Sequence, residues 1–191
     1  MAAVPLRSLI AAVTALLVLL ALSACGNRKE TVTHAETEGI HVDVGSLSYQ
    51  IQVSRTLNVH DDEDVVYLQD IPPAQRRLAP NETWFAVFLK VFNATKQDAL
   101  SAASFAVVDT QDLRYEPVPL GKLNPFAYRA QMIPAGEQYP LPDSAAGAGV
   151  VRGSLLLFKL KLVTIQNRPM ELEIHGHEGQ EPAEASALLD V

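Results

Sequence analysis

The side chains able to do chemistry in this 191-residue sequence are few and scattered. His175 and His177, in His-Gly-His-Glu, could offer two imidazoles to Cu or Zn, because H-x-H places both rings on one side of an extended chain. A third ligand would have to come from elsewhere, and a solvated strand end is the plainer reading. The run Asp61-Asp62-Glu63-Asp64 supplies hard oxygens suited to Ca²⁺, with Asp61, Asp62 and Asp64 as candidate ligands. It lacks the alternating spacing and the glycine of an EF-hand loop, so it also reads as a solvated loop. Asp109 and Glu116 could pair as acid and base, but their separation is not set by sequence. Ser154 follows Gly153 without the G-x-S-x-G elbow and reads as the start of a strand. The Gly-rich stretch 146–150 precedes a strand rather than a helix, so it has no helix N-terminus for phosphate. With no catalytic constellation assembled, the expectation is a protein that is not an enzyme.

The single cysteine is the most informative residue. Arg7 gives a short positive segment, and Leu9 to Ala21 is an apolar run of signal-peptide length. Leu9 to Ala24 as a helix would span only about 24 Å, less than a bilayer core requires. Leu22-Ser23-Ala24-Cys25 then resembles the lipobox of bacterial lipoproteins. The resemblance implies a diacylglyceryl thioether on the Cys25 sulfur, cleavage after Ala24, and acylation of the new amino group. Two or three acyl chains hold a protein stably where one does not. Cys25 would then be occupied by lipid and no longer a nucleophile. A lone cysteine also excludes an internal disulfide and any CxxC site.

Charge narrows the partners. The chain carries a net charge of −7, and Arg7 is the only charged residue of the first 24, so the remainder carries −8. A nucleic-acid binder needs clustered Lys and Arg to displace counterions, so nucleic acid is excluded as a general partner.

These residues must be positioned by strands. Ser46 to Val53 alternates, with Leu47, Tyr49, Ile51 and Val53 on one side. Thr83 to Phe92 is apolar on both faces, as in a central strand. Ser104 to Asp109, Leu113 to Glu116, Leu155 to Val163 and Met170 to Ile174 read as further strands, with Val65 to Leu68 as a short edge strand. Ala99 to Ala103 could form one helical turn, and Asp143 to Gly149 is too rich in glycine for a helix. The expectation is an all-β sandwich of about seven strands. It divides into a signal peptide at 1–24, lipidated Cys25 with a flexible tether over 25–43, a body over 44–175 and a mobile tail over 176–191. In the Pro-rich segment Asn124 to Pro142, Phe126, Tyr128, Arg129 and Tyr139 are candidates for a binding surface. The alternative is that the segment folds back and caps the sandwich.

The order of a strand ending in Asn93, Phe105-Ala106-Val107-Val108-Asp109, Ile133-Pro134-Ala135-Gly136 and Gly153-Ser154-Leu155-Leu156-Leu157-Phe158 resembles a family. It is similar to the immunoglobulin-like sandwich domain of actinobacterial and firmicute secreted proteins and lipoproteins, over about Ser46 to Ile174. Two stretches depart from that pattern: the long insert Asp61 to Arg77, and Gly121 to Met132. The resemblance implies a binding or scaffolding module at the extracytoplasmic face of the cell membrane. Its partners would be the membrane itself, through the lipid, and an envelope protein or cell-wall component. No cofactor is expected beyond the lipid on Cys25 and a weakly held divalent metal. The alternatives are a Cu, Zn or Ca binding protein, and a hydrolase built on a sandwich scaffold.

Overall fold

β4, Glu82–Phe92, is buried on both faces, and the rest of the architecture follows from that. The structure, a computed structural model, describes residues 30–191. The signal segment 1–24, Cys25 and the first tether residues lie outside the described residues. On one face of β4, Phe85, Val87, Leu89 and Val91 enter the main core. On the other, Trp84, Ala86 and Phe88 enter a second cluster. β3, Leu47–Leu57, pairs antiparallel with one side of β4, and β10, Ser154–Lys161, with the other. β2, His41–Val44, extends the sheet beyond β3. β9, Gln138–Tyr139, joins the Phe92 end of β4.

The second sheet supplies the other side of the main core. Its order is β1 (His34–Ala35), β12 (Glu184–Leu189), β11 (Met170–His175), β6 (Ser104–Val108) and β7 (Arg114–Tyr115). Met170, Leu172 and Ile174 face inward, as their alternation predicts. A two-stranded ribbon, β5 (Ala99–Leu100) with β8 (Met132–Ile133), closes one end. The chain is therefore an all-β sandwich, with twelve strands among the described residues where about seven were expected. Among the described residues no helix is long and apolar enough to cross a membrane.

Several sequence expectations are corrected. Residues 176–191 are not a mobile tail: β12 pairs with β11 over six positions and with β1 on its other side. Its inward residues are Ala185, Ala187 and Leu189, and two alanines give too weak a period-two signal to read as a strand. The tether over 25–43 is likewise shortened, because β1 and β2 belong to the two sheets, with Ala35 and Val42 buried. Val65 to Leu68 is not a strand. The Asp61 side chain accepts from the Glu63 N–H and caps a short helix, Asp62–Val65, which runs into a 3₁₀ turn. Ala99–Leu100 is a strand rather than a helical turn, and Ala145–Ala148 is a short helix capped by Ser144. Val53 leaves the face of Leu47, Tyr49 and Ile51, because Gln52 is an extra residue opposite β4. Such a bulge turns every later side chain to the other face.

The outer face of β4 is covered by two irregular stretches, 61–77 and 118–126. Tyr67 and Ile71 of the insert are buried against Trp84 and Phe88, with Leu120 and Phe126 beside them. Asp64 secures the insert to β3 by an ion pair with Arg55 and by accepting from the Asn58 N–H at 2.7 Å. Burial alone would raise the Asp64 carboxyl, but these hydrogen bonds and the Arg55 charge outweigh it and hold it below the ordinary value.

A candidate binding cleft

The chain crosses from one sheet to the other just after β7. β6 pairs with β7 at Val107↔Tyr115 and Val108↔Arg114, and the Asp109 N–H donates to the Leu113 carbonyl at 3.2 Å. Continued for two more residues, this register would set Pro117 opposite Phe105. Proline has no N–H to give a ladder. Instead the chain leaves, and the Val118 N–H donates to the Leu157 carbonyl of β10 at 2.7 Å. Between the diverging edges lies a cleft of about 490 Å³, bordered by Ser104, Phe105, Val118, Tyr128, Arg129 and Leu156.

In an antiparallel strand both main-chain groups of a residue point to one side, and successive residues alternate. Asp109 donates toward β7, while Thr110 donates to the Asn167 carbonyl on the opposite side. Val107 and Phe105 thus present their N–H and C=O toward β7. At Phe105 β7 has already departed, so these groups lie on the cleft side, at its floor, with the residue 3% exposed.

The opposite wall is the edge of β10, partly paired by the segment 126–128. The Tyr128 N–H donates to the Leu155 carbonyl at 2.8 Å, and the Leu155 N–H to the Phe126 carbonyl at 2.7 Å. Tyr128 is fixed by its edge-on contact with Phe105, at 5.0 Å between ring centroids, and by a hydroxyl bond to the Ala102 carbonyl at 2.7 Å. The Ala102 N–H donates to the Tyr49 hydroxyl at 2.7 Å. Burial pushes the Tyr49 phenol up to about 12, against the opposing bond from Ala102. Burial raises Tyr128 further, and the nearby Tyr49 adds to it. Arg129, half-buried, donates to the Leu120 and Gly121 carbonyls, and no carboxylate among the described residues lies within ion-pair distance of it.

The four predicted surface residues therefore divide. Tyr128 and Arg129 line the cleft. Phe126 packs edge-on against Tyr67, and Tyr139 against Tyr128, with its hydroxyl bonded to the Ala127 carbonyl. Phe126 and Tyr139 belong to the part of the segment that folds back, each packing on one of the two clusters. Phe105, whose main-chain edge toward β7 has no partner among the described residues, escaped the sequence reading. The signal was present in Pro117, once the β6–β7 register is known.

The metal candidates do not come together. His175 Nε2 lies 2.9 Å from Arg114 Nη2 and 3.2 Å from a Glu173 oxygen. His177 Nε2 instead lies 3.0 Å from the Ser101 carbonyl. Asp61 caps a helix, Asp62 is exposed, and Asp64 is taken by Arg55 and Asn58. Among the described residues no three His, Cys, Asp or Glu side chains converge to hold a metal ion. Asp109 is buried, with both carboxyl oxygens engaged: one accepts from Gln111 and Leu113 N–H groups, the other from the Asn167 amide. Burial opposes this ionised form, but the hydrogen bonds prevail and keep its carboxyl below the ordinary value. Glu116 stands exposed at the cleft.

No protein-family model matches the chain. No curated protein matches it either. Among solved structures, the yjhA protein from Bacillus subtilis matches with a TM-score of 0.52 at 10% identity, over 81% of this chain and 99% of that one. The secreted protein MPT63 from Mycobacterium tuberculosis matches at 0.48 and 11% identity, over 85% of this chain and 99% of that one. A candidate lipoprotein, ycdA, also from Bacillus subtilis, matches at 0.47 and 11% identity, over 84% of this chain. The chain spans only 39% of the length of ycdA. At such identities the likeness is one of fold.

Proposed function

We propose that the chain is a lipid-anchored binding or scaffolding module at the extracytoplasmic face of the cell membrane, with no catalytic activity of its own. Cys25 is its anchor, and an envelope protein or cell-wall component is its partner. The cleft at Phe105, Tyr128 and Arg129 carries the binding half of this reading, being a preformed concavity on rigid strands. The carboxylate best placed for chemistry, Asp109, has both oxygens committed to holding a turn and the Asn167 loop.

Anchoring rests on Leu22-Ser23-Ala24-Cys25 and the apolar run before it. The described structure adds a geometric consequence. Val32 is fixed to the body, accepting from the Asp43 N–H and donating to its carboxylate. The seven Cα–Cα steps from Cys25 to Val32 can reach at most about 25 Å in any conformation. The body would sit close against the membrane, not at the end of a long lead.

Detergent phase partition tests the anchor. The wild-type chain is expected in the detergent phase with the mass of its acyl groups, and Cys25→Ser in the aqueous phase without it. Retention of Cys25→Ser in the membrane with the same acyl mass would overturn the reading.

A further inference from the structure

We infer that the cleft accepts an extended polypeptide segment of an envelope partner, which adds as a short strand to the free edge of β6 at Phe105. This rests on the reading of the body as a binding module, and it is independent of how the chain is anchored.

The occupant follows from what the cleft presents. An N–H and C=O held side by side on a strand edge are complemented by another extended main chain. β7 would have supplied that complement, but Pro117 and the crossing to β10 remove it. The wall facing this edge is apolar, formed by Val118, Leu156 and Leu157, and calls for an apolar side chain on the incoming segment. Arg129 adds a charge requirement. Its half-buried guanidinium has carbonyl partners that bind it without neutralising it. An acidic side chain near the apolar residue would complete that pairing. Glu116 shares the lining but is exposed, so water screens it more than Arg129. Two residues beyond the lining residue Ala130, Met132 stands opposite Leu100 across the β5–β8 ribbon, and both are exposed, at 54% and 40%.

The test uses the full chain in detergent micelles and a displayed library of random octapeptides. Selection is made on wild type, with counter-selection on Ala130→Trp, which fills the mouth from an exposed position. Ala103→Trp does the same from the opposite lip, and unchanged melting curves for both establish that the variants fold. Enriched octapeptides should pair an apolar residue with Asp or Glu. They should bind either tryptophan variant at least about tenfold more weakly, and lose a similar factor when proline replaces the residue opposite Phe105. Saturation with one such peptide should slow hydrogen exchange at the Phe105 amide by about tenfold or more. The acidic preference should disappear on Arg129→Gln. The inference is overturned if no octapeptide is enriched over the tryptophan variants, if enriched peptides accept proline at every position, or if the Phe105 amide exchanges equally fast with and without peptide. None of these outcomes bears on Cys25, so the anchor reading stands or falls separately by phase partition.

Discussion

The Asn124 side-chain amide donates to the Tyr67 carbonyl at 3.0 Å, and also to the Gln69 carbonyl at 2.8 Å. One residue thereby joins the insert 61–77 to the segment 121–132. Around it, the Phe126 N–H donates to the Asn124 side-chain Oδ1 at 2.9 Å, and Tyr67 and Phe126 meet edge-on. The insert and the 121–132 segment are therefore one covering layer over the outer face of β4. The same layer carries Arg129 into the cleft, so the stability of the cover sets the geometry of the candidate site.

Asp70 and Gly121 form the tightest part of this layer, and their coupling is measurable. The Gly121 N–H donates to the Asp70 carbonyl at 2.8 Å, and the Leu123 N–H donates to its carboxylate at 2.8 Å. A Cβ on Gly121 would overlap that carboxylate. Gly121→Ala should force Asp70 to rotate away from Leu123 and cost about 1–2 kcal/mol in urea unfolding. Asp70→Ala gives up the same hydrogen bond. The double variant should therefore cost clearly less than the two single costs together. Strict additivity would show that the two residues do not share this contact.

Asp64 predicts a particular acid sensitivity. Its folded carboxyl titrates below the ordinary carboxylate value, so folding gains stability from the ionised form. That gain is complete above about pH 5, where the unfolded carboxyl is also ionised, and it is lost progressively as the pH falls through the unfolded value and then the lower folded one. Asp109 contributes in the same direction. Asp64→Asn should cost about 1–2 kcal/mol at neutral pH, toward the low end because Arg55 is partly exposed. It should also flatten the decline in urea midpoint as the pH is lowered from about 5. An unchanged acid slope would remove Asp64 from the account.

Ser154 predicts the opposite sign. Its hydroxyl is fully buried at the start of β10 with no hydrogen-bond partner among the described residues. An unsatisfied buried hydroxyl destabilises the native state. Ser154→Ala should leave the thermal midpoint unchanged or raise it by a few degrees. A loss of more than about 1 kcal/mol would reveal a partner for the hydroxyl.

The parts of this fold visible in sequence were those whose burial follows a simple period. Met170, Leu172 and Ile174 alternate cleanly, and Thr83 to Phe92 is apolar on both faces because both are covered. What covers the second face was hidden, since Tyr67, Ile71, Leu120 and Phe126 lie in irregular segments held by Asn124 and Asp70 rather than by a repeat. The cleft was half legible. Tyr128 and Arg129 stood out as side chains, but the edge at Phe105 is a main-chain feature, and it exists only through the register that places Pro117 beyond the end of β7. Gln52 similarly redirects Val53 with no mark in the hydrophobic pattern.

The last strand offers the most severe test, because its sequence pattern reads as a mobile tail. Removing residues 184–191 would delete β12 from between β1 and β11. It would uncover the inner surface that Ala185, Ala187 and Leu189 bury, a loss of about 3–4 kcal/mol in side-chain burial alone. It would also free one edge of β11 over its whole length, from Met170 to His175, and leave β1 without its ladder. Against a typical total of about 5–15 kcal/mol, that loss should abolish or nearly abolish cooperative unfolding of the chain. Far-ultraviolet circular dichroism with a thermal melt distinguishes the outcomes. A truncated chain that melts cooperatively within a few degrees of wild type would show that residues 184–191 do not hold the sheet. A smaller change, Leu189→Ala, should cost about 2 kcal/mol or more with the fold retained, which separates loss of the core contact from loss of the whole strand.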